Sequence, residues 1–547
     1  MMGRSIAVLL LLGAMVRLTA PGPSPAAEPA PVKVDVCVYG GTAAGVIAAV
    51  KTAQLGKSVV LIEPSKHLGG MTSGGLGWTD FGNKGAIGGM SRDFYRRLGK
   101  HYGKEEAWTF EPHVAEQVLK DLIAENKVRV LYEHRLGTVE KKGARITKLI
   151  LDHAPPDEDG APRAKPQAVG AVVVEALMFM DCTYEGDLLA KAKVGYHVGR
   201  EAVAQYNESL NGIRANTPKH QFLVKVDPFV KPGDPASGLL PLIQPGDGGK
   251  PGDGDASVQA YNFRMCLTKK ESNKLPIRAP VAYDPKRYEL LARNLEALVA
   301  DGKQPTLRML LKIDMVTPEK TDINNQGAVS TDHIGANYDY PNGDWETRNR
   351  IWKDHIHYMR GLFYFLSSSA RVPEGVQKEM LAWGLCKDEF QDTQGWPHQL
   401  YVREARRMVG RYVVTQNDCE HKTTIEDSVG LGAYNMDSHN CQRLVKNGAA
   451  INEGDVQVGP KGPYAIPYRA ITPKAEECEN LLVPVCLSSS HIAYGSARME
   501  PVFMVLGESA ALAANQAIDA KQSVQEIDYP KLRQALEAAK QVLVFKR

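Results

Sequence analysis

The sequence predicts an α/β protein with a parallel sheet and with an α+β region in the middle of the chain. Three observations predict this class. A strand, a glycine turn, a helix and a second strand occupy residues 34–63. A strand and a helix of similar character follow at 480–518, and mixed helical and strand-like patterns fill the region between. With 547 residues, 43% of them hydrophobic, the chain is long enough for more than one core.

The amino-terminal unit has the form of a dinucleotide-binding fingerprint. The β-branched run 34–39 leads into Gly40-Gly41-Thr42-Ala43-Ala44-Gly45, an Ala-rich helical segment follows, and the second strand ends at Glu63. In a Rossmann-type domain the first glycine allows the tight turn, and Gly45 allows the helix and strand to pack closely. The free N–H groups of the first helical turn attract a pyrophosphate. Glu63 is placed to accept hydrogen bonds from ribose hydroxyls.

Two further features of this unit concern the cofactor. Thr42 replaces the usual middle glycine, so that Gly41 supplies the flexibility and the threonine hydroxyl is a candidate for bonding a phosphate. The glycine-dense loop 67–75 follows Glu63, as expected where backbone runs beside an extended cofactor. This loop favours FAD over NAD. The alternative is a βαβ unit with a glycine turn and no nucleotide.

The chain resembles the secreted bacterial FAD-dependent oxidoreductases, some of which are labelled xanthan-lyase-like. The resemblance begins in the two motifs at 38–45 and 67–75. Similar blocks recur at 180–187, 260–264, 320–325, 400–407, 427–430 and 488–501. The resemblance therefore covers nearly all of the chain after the amino-terminal segment. It implies an FAD cofactor and a Rossmann-type FAD-binding domain of the glutathione-reductase-like kind. This domain would be built from both ends of the chain, with an inserted α+β substrate domain between them.

The resemblance also implies which residues contact FAD. The helix predicted from Pro501 to Ile518 would point its amino end at the flavin pyrimidine ring, where its dipole stabilises negative charge. A backbone N–H near Val139 would meet the adenine. The Gly-Asp pair usual before this helix is missing, and the resemblance therefore implies no specific contact with the ribityl chain. The implied cofactor-binding residues are Gly40, Gly41, Thr42, Ala43, Ala44, Gly45, Glu63, Gly69, Gly70, Met71, Thr72, Ser73, Val139, Asp181, Arg498, Glu500, Pro501 and Val502.

Three residues are candidates for the chemistry. His491, in a predicted polar turn before the last long helix, is the first choice for a base, and a structural histidine that bonds this turn is the alternative. His439 follows a dense polar run and is the second choice. Arg403, on a predicted helix with Glu404 and Arg406, would bind a substrate carboxylate or form a buried salt bridge. HExxH and GxSxG motifs are missing from the sequence, and no metal site is predicted.

The amino terminus predicts export. Residues 1–27 combine Arg4, an apolar run at 6–16 and a Pro- and Ala-rich stretch, which is the form of a Sec-type signal peptide. A retained membrane anchor is the alternative. We therefore expect a periplasmic or secreted protein without a stable membrane span after cleavage. The predicted FAD-binding domain comprises 32–200 and 476–547, with the substrate domain at 201–475.

Charge and resemblance together limit the function. The formal net charge of +3 argues against a nucleic-acid binder. We expect hydride transfer between flavin N5 and a small polar molecule, with a carbohydrate or its derivative as the leading substrate class and an unidentified electron acceptor. One alternative is a flavin-dependent reductase of an unsaturated carboxylic acid, held by Arg403 or Arg406. Another is a polysaccharide lyase or carbohydrate-binding protein on a flavoprotein fold.

Overall fold

The structure, a computed structural model, describes residues 30–168 and 171–545. The signal peptide predicted for residues 1–27 lies outside the described residues. Within the described ranges, every helix is too short or too polar to cross a membrane.

The chain forms many short strands and a smaller number of helices. The strands are β1 (Val32–Tyr39), β2 (Val59–Glu63), β3 (Arg129–Tyr132), β4 (His134–Lys142), β5 (Arg145–His153), β6 (Val172–Asp181), β7 (Tyr196–His197), β8 (Phe229–Lys231), β9 (Asp234–Leu239), β10 (Leu267–Thr268), β11 (Lys274–Leu275), β12 (Leu311–Met315), β13 (Thr321–Asn325), β14 (Gly384–Cys386), β15 (Arg407–Met408), β16 (Ser428–Gly432), β17 (Met436–Ser438), β18 (Gln442–Lys446), β19 (Ala449–Glu453), β20 (Val456–Val458), β21 (Tyr464–Pro467) and β22 (Leu481–Leu482). The α-helices are α1 (Ala43–Gln54), α2 (Gly89–His101), α3 (Pro112–Glu125), α4 (Asp187–Lys191), α5 (Val203–Tyr206), α6 (Glu289–Ala300), α7 (Trp345–Ser368), α8 (Glu374–Ala382), α9 (Gln416–Cys419), α10 (His491–Ala497), α11 (Glu500–Ala520) and α12 (Tyr529–Ala538).

A seven-stranded sheet joins the two ends of the chain. Its order is β3-β2-β1-β6-β5-β4, and β22 pairs with the end of β6. Strand β1 runs parallel to β2 and β6, whereas β4, β5 and β6 form an antiparallel meander. Leu481 of β22 lies opposite Phe179 in a parallel pair. The predicted α/β class, with a Rossmann-type domain assembled from both ends, is confirmed.

Helix α11 packs directly on α1, and this contact fixes where its amino end lies. A Cβ on Gly507 would lie 2.5 Å from the carbonyl oxygen of Ala44, so the two backbones approach more closely than larger side chains would permit. Residues 500–514 of α11 are buried along their whole length. A helix that is apolar on all sides is stable only when it is enclosed, and α11 is therefore a central element of the core.

The middle of the chain folds into small antiparallel sheets and the helices α6, α7 and α8. The sheets are β10-β14-β11, β12-β13, β16-β21, β17-β20, β18-β19 and β8-β9. The aromatic-rich segment 345–365 lies in α7, and its apolar side chains Ile351, Met359 and Phe363 are buried. This arrangement agrees with an inserted α+β region, while the exact limits 32–200, 201–475 and 476–547 stay predictions.

Two local predictions are wrong. The segment with Arg403 is extended loop up to β15 rather than helix, because its charged side chains are buried and bond to partners in several separate segments. The predicted polar turn before α11 contains α10, which Ser490 caps by accepting a hydrogen bond from the backbone N–H of Ala493. His491 is therefore the first residue of a short helix.

Candidate functional site

The turn between β1 and α1 leaves no room for side chains at its two outer glycines. Gly40 has φ +101°, and a Cβ there would lie 2.8 Å from the backbone nitrogen of Thr183. A Cβ on Gly45 would lie 1.9 Å from the carbonyl oxygen of Gly40. Both glycines are thus required by close backbone approach. We call residues Gly40 to Gly45 together with Glu63 the dinucleotide cradle.

Thr42 serves the fold of the cradle. Its hydroxyl donates a hydrogen bond to the carbonyl of Cys182 (2.8 Å) and accepts one from the N–H of Gly45 (3.3 Å). It is the N-cap of α1. The hydroxyl has a single proton, and the bond to Cys182 uses it, so it has none to donate to a phosphate. Thr42 still lines the cavity described next.

A cavity lies between the cradle and the middle of the chain. The cradle contributes Gly40, Thr42 and Glu63 to its wall, and the start of α4 contributes Asp187. Opposite them stand the aromatic side chains Tyr340, Trp345 and Trp352 and the residues His398 and Gln399. The cavity is therefore enclosed by segments that the sequence places hundreds of residues apart.

Glu63 presents its carboxylate at this cavity. Oε2 accepts from the N–H of Gly41 (2.7 Å) and Oε1 from the N–H of Ser65 (2.6 Å). Burial raises the pKa of Glu63, while these hydrogen bonds oppose that shift. The two bonds fix the carboxyl group in one orientation at the end of β2, which is the place that suits a ribose diol.

His398 is a cavity residue that the sequence analysis had not selected. Its side chain is buried, and in the described part of the chain neither ring nitrogen has a hydrogen-bond partner. It stacks on His67 with ring centroids 3.8 Å apart. Glu116 and Asp392 contact the two nitrogens of His67 and, against the effect of burial, raise its pKa to about 9. Burial and the charge of His67 lower the pKa of His398 to about 3.

The glycine-dense loop is tied to the amino end of α11. Thr72 Oγ1 donates to Glu500 Oε2 (2.7 Å), and Tyr184 Oη donates to Glu500 Oε1 (2.6 Å). The same Tyr184 oxygen accepts from the N–H of Met71 (2.9 Å). Burial raises the pKa of Glu500 to about 7. The structure thus brings together the predicted cofactor residues of the loop, which include Gly69, Gly70 and Ser73, and those that begin α11, which include Pro501 and Val502.

Of the predicted cofactor residues, Gly40, Thr42 and Glu63 line the cavity, whereas Asp181 and Val139 have other roles in the fold. Asp181 is fully buried and accepts hydrogen bonds from the backbone of Thr183 and Leu189, so it holds the turn after β6. Val139 lies within β4 and packs against a second core cluster. Asp187 lines the cavity instead, where the guanidinium of Arg348, 2.7 Å away, helps to hold its pKa below the usual range against the effect of burial.

His439 stands between two aspartates. Its Nδ1 lies 2.7 Å from Asp332 Oδ2, and its Nε2 lies 3.5 Å from Asp437 Oδ2. Burial and the charge of Arg403 would lower its pKa, but the two carboxylates outweigh them and raise it. Arg403 pairs with Asp332 (3.0 Å) and Arg498 with Asp437 (2.9 Å). We call these five residues, together with Tyr401, the His439 cluster.

The ring of Tyr401 joins the arginines of this cluster. The guanidinium carbons of Arg403 and Arg498 lie 4.2 and 5.8 Å from its centroid, and that of Arg264 lies 5.9 Å away. The Tyr401 hydroxyl accepts from Arg498 Nη1 (2.9 Å). Among the described residues, Arg498 Nε is buried without a hydrogen-bond partner. Such cation–π stacking holds several guanidinium groups close together in a small volume.

His491 lies behind the His439 cluster. Its Nδ1 contacts Glu404 Oε2 (2.8 Å) and its Nε2 contacts Ser438 Oγ (2.9 Å). Burial, followed by the charges of Arg407 and Arg200, lowers its pKa to about 3. A histidine this difficult to protonate is a poor general base. Burial and charge therefore favour His439 over His491 as a base, while the assignment of either histidine to the chemistry stays a prediction.

Comparisons with known proteins support one family. The family described as FAD dependent oxidoreductase matches residues 35–536, which is most of the chain. A search of the curated proteins found no significant match.

Solved structures match only partially. They include a 3-ketosteroid-Δ4-(5α)-dehydrogenase from Rhodococcus jostii RHA1 (15% identity, TM-score 0.20, 27% of this chain and 45% of that chain). An anhydrotetracycline hydroxylase from Streptomyces rimosus matches at 13% identity and TM-score 0.22, over 36% of this chain and 37% of that one. A p-nitrophenol 4-monooxygenase from Pseudomonas putida DLL-E4 matches at 13% identity and TM-score 0.20, over 31% and 45%. The chain spans less than half of each, and these TM-scores support no conclusion about substrate.

Proposed function

Because the chain belongs to the FAD-dependent oxidoreductase family, we propose that it is an exported enzyme that removes a hydride from a small polar substrate, with a carbohydrate or its derivative as the substrate class. The bound FAD supplies the hydride acceptor at its N5 atom. The observation that carries the proposal is His439, held between Asp332 and Asp437 close to the residues that begin α11.

The dinucleotide cradle fits the nucleotide half of FAD. Gly40 and Gly45 leave a turn that any Cβ would fill, and the N–H groups that begin α1 face an anion favourably. Glu63 offers a fixed carboxylate for ribose hydroxyls. His398 has hydrogen-bonding atoms without partners in the described chain, and as a neutral ring it offers one donor and one acceptor. We assign all four to cofactor binding.

His439 is the proton-handling residue in this proposal. Oxidation of an alcohol carbon releases a hydride from the C–H bond and a proton from the hydroxyl. His439 accepts this proton in its neutral form, and Asp332 and Asp437 stabilise the charged form that results. Arg403 and Arg498 hold the two carboxylates in position through their ion pairs. His491 acts as a positioning residue through its contact with Ser438, next to His439 in sequence.

The pairing of charges favours a neutral substrate over an unsaturated acid. Arg403 is paired with Asp332, Arg498 with Asp437 and Arg264 with Asp322. A substrate carboxylate would have to compete with these buried carboxylates for the same guanidinium groups. Polyols and sugars avoid this competition, since their hydroxyls both donate and accept hydrogen bonds.

An anaerobic screen of sugars, polyols and organic acids tests the proposal by the absorbance of the bound flavin. We expect the purified protein to be yellow and to bleach with a sugar or polyol. Bleaching by organic acids alone, or reoxidation of chemically reduced enzyme by an unsaturated acid alone, would contradict the substrate class. Yellow protein that no donor bleaches would favour the binding-protein or lyase alternatives. Amino-terminal sequencing of protein from an exporting host tests the cleavage of residues 1–27.

A further inference from the structure

Two cysteines of the middle region face each other on neighbouring strands. Strands β10 and β14 are antiparallel, with Leu267 opposite Leu385 and Thr268 opposite Gly384. Continuing this register by one residue places Cys266 opposite Cys386. Their Sγ atoms lie 3.7 Å apart, and the two residues are 1% and 0% exposed. The pair forms a small apolar cluster with Phe390.

We propose that Cys266 and Cys386 form a disulfide bond when the chain folds in an oxidising compartment. Opposed residues of an antiparallel pair have Cα atoms about 4.5–5.5 Å apart. Disulfides require about 4.4–6.8 Å. A rotation about the Cα–Cβ bonds then brings the sulfurs to bonding distance without moving the backbone. The inference rests on the proposed export, because cytosolic thiols are kept reduced.

The oxidation balances as a thiol–disulfide exchange. Both S–H bonds break and one S–S bond forms, while two electrons and two protons pass to the disulfide of a thiol oxidant, which becomes two thiols. The hydrogen bond with Cys386, followed by burial, raises the pKa of the Cys266 thiol. A buried thiol with a raised pKa exchanges poorly. The bond therefore forms while the chain folds.

The proposed bond would anchor a segment that contacts the His439 cluster. It joins residues 120 apart in sequence and closes a loop that contains α6, α7 and α8. Such a crosslink stabilises chiefly by restricting the unfolded chain. Cys266 also follows Arg264 by two residues, and Arg264 pairs with the buried Asp322 under the ring of Tyr401. The crosslink thus anchors the segment that carries this arginine.

Counting thiols in the exported protein tests the pairing. The full chain, produced with its own signal peptide in a bacterial host and isolated from the periplasm, is unfolded without reductant and alkylated with N-ethylmaleimide. We expect six of the eight cysteines to react, and proteolysis to yield one linked peptide pair that contains Cys266 and Cys386. Eight reactive thiols, or a linkage between other cysteines, would overturn the inference.

A second experiment tests the cysteine pairing independently of export. The reduced, unfolded full chain is refolded in a glutathione redox buffer and mapped in the same way. A linked pair in the refolded chain, together with unprocessed protein that stays in the cytosol, would refute export and support the pairing. A refolded chain without the link would refute the pairing, whatever its location.

Variants then test the effect on stability. We expect Cys266→Ser and Cys386→Ser to lower the thermal midpoint of the oxidised protein by the same amount, and the double variant to lower it no further. The difference from wild type should shrink when dithiothreitol is present during folding. Cys419→Ser is the control, since this cysteine is buried next to Tyr464 and its effect should not depend on reductant. Additive effects of the two single variants would contradict a shared bond.

Discussion

The dinucleotide cradle and the His439 cluster are both buried and polar, but they differ in how their residues are distributed along the chain. The cradle comes from one segment of 24 residues, Gly40 to Glu63, and its geometry follows from local backbone constraints. The cluster draws Asp332, Tyr401, Asp437 and Arg498 from separate segments of the fold. Local motifs therefore reveal where a cofactor lies sooner than they reveal which groups carry out its chemistry.

The largest effect on FAD binding and stability should come from a side chain at Gly45 in the cradle. Gly45→Val places side-chain atoms where even a Cβ would lie 1.9 Å from the Gly40 carbonyl oxygen, so the turn cannot keep its shape. We expect loss of bound FAD and destabilisation of more than about 4 kcal/mol, the range of severe backbone and packing defects. Flavin absorbance measures the bound FAD, and chemical denaturation measures the free energy of unfolding.

Gly375→Ala is the matched control for the cradle variant. Among the described residues, nothing lies within 4 Å of a Cβ placed there, and the position is in α8. Gly375→Ala should leave the flavin colour unchanged and stabilise the protein by up to about 1 kcal/mol, because alanine favours the helix more than glycine does. Yellow, stable Gly45→Val protein would contradict the close approach of α1 and β1.

A substitution in the His439 cluster should lower the reaction rate while FAD stays bound. We expect His439→Asn to lower the rate of flavin bleaching by about 10²–10⁴-fold, the usual contribution of a general base, while the colour stays normal. In wild type the rate should rise with pH through the raised pKa of His439, because only the neutral ring accepts a proton. The variant should lack this rise.

His421→Asn provides the control for His439. His421 is exposed and adopts a positive φ that asparagine tolerates well. Its bleaching rate and pH profile should match wild type. A pH profile of His439→Asn that is identical in shape to wild type would show that another group accepts the proton.

His398 should reveal a conflict between stability and binding. His398→Phe keeps a ring to stack on His67 and removes two buried nitrogens that have no partner in the described chain. We expect the FAD-free protein to gain stability and the holoenzyme to release FAD about tenfold faster. Flavin fluorescence follows release. The exposed His357→Phe is the control, and unchanged release from His398→Phe would remove His398 from the cofactor site.

The smallest effect should come from the pH dependence of His67. Its carboxylate partners raise its pKa to about 9, above the ordinary value of 6.5. The charged form is therefore favoured by folding, and this stabilisation is fully present below pH 6.5 and is lost as pH rises through about 9. We expect His67→Gln to lower the thermal midpoint below pH 6.5 and to approach wild type above pH 9. A difference that grows with pH would contradict the ion pairs with Glu116 and Asp392.

The predictions for the cradle and for the site agree with the structure to different extents. The strand–turn–helix–strand unit, with Gly40, Gly45 and Glu63 in their predicted places, follows from hydrophobic period and glycine position alone. Asp181 is selected because the block 180–187 resembles the family, yet its carboxylate is buried and accepts hydrogen bonds from the backbone of Thr183 and Leu189. The strand period indicates the end of β6, but it does not indicate which way that carboxylate turns.

The choice between His491 and His439 as the base shows the same limit of prediction from sequence. His491 lies close to α11 in sequence, and this proximity recommended it as a base. Burial, followed by the charges of Arg407 and Arg200, lowers the pKa of His491, whereas Asp332 and Asp437 raise that of His439 against the effect of burial. A pKa depends on burial and on charges within a few ångströms, and those charges come from segments that a one-dimensional pattern does not connect.

The amino-acid sequence by itself determined the α/β class and the dinucleotide cradle, while the joining of both chain ends in one domain was implied by the family resemblance. Short-range backbone sterics and hydrophobic period fix the first two features, and both can be read along the chain. Only the tertiary structure decided that His398 faces the cavity, that His439 rather than His491 stands between carboxylates, and that Cys266 meets Cys386. Those features arise from long-range packing, which places side chains together across more than a hundred residues of chain.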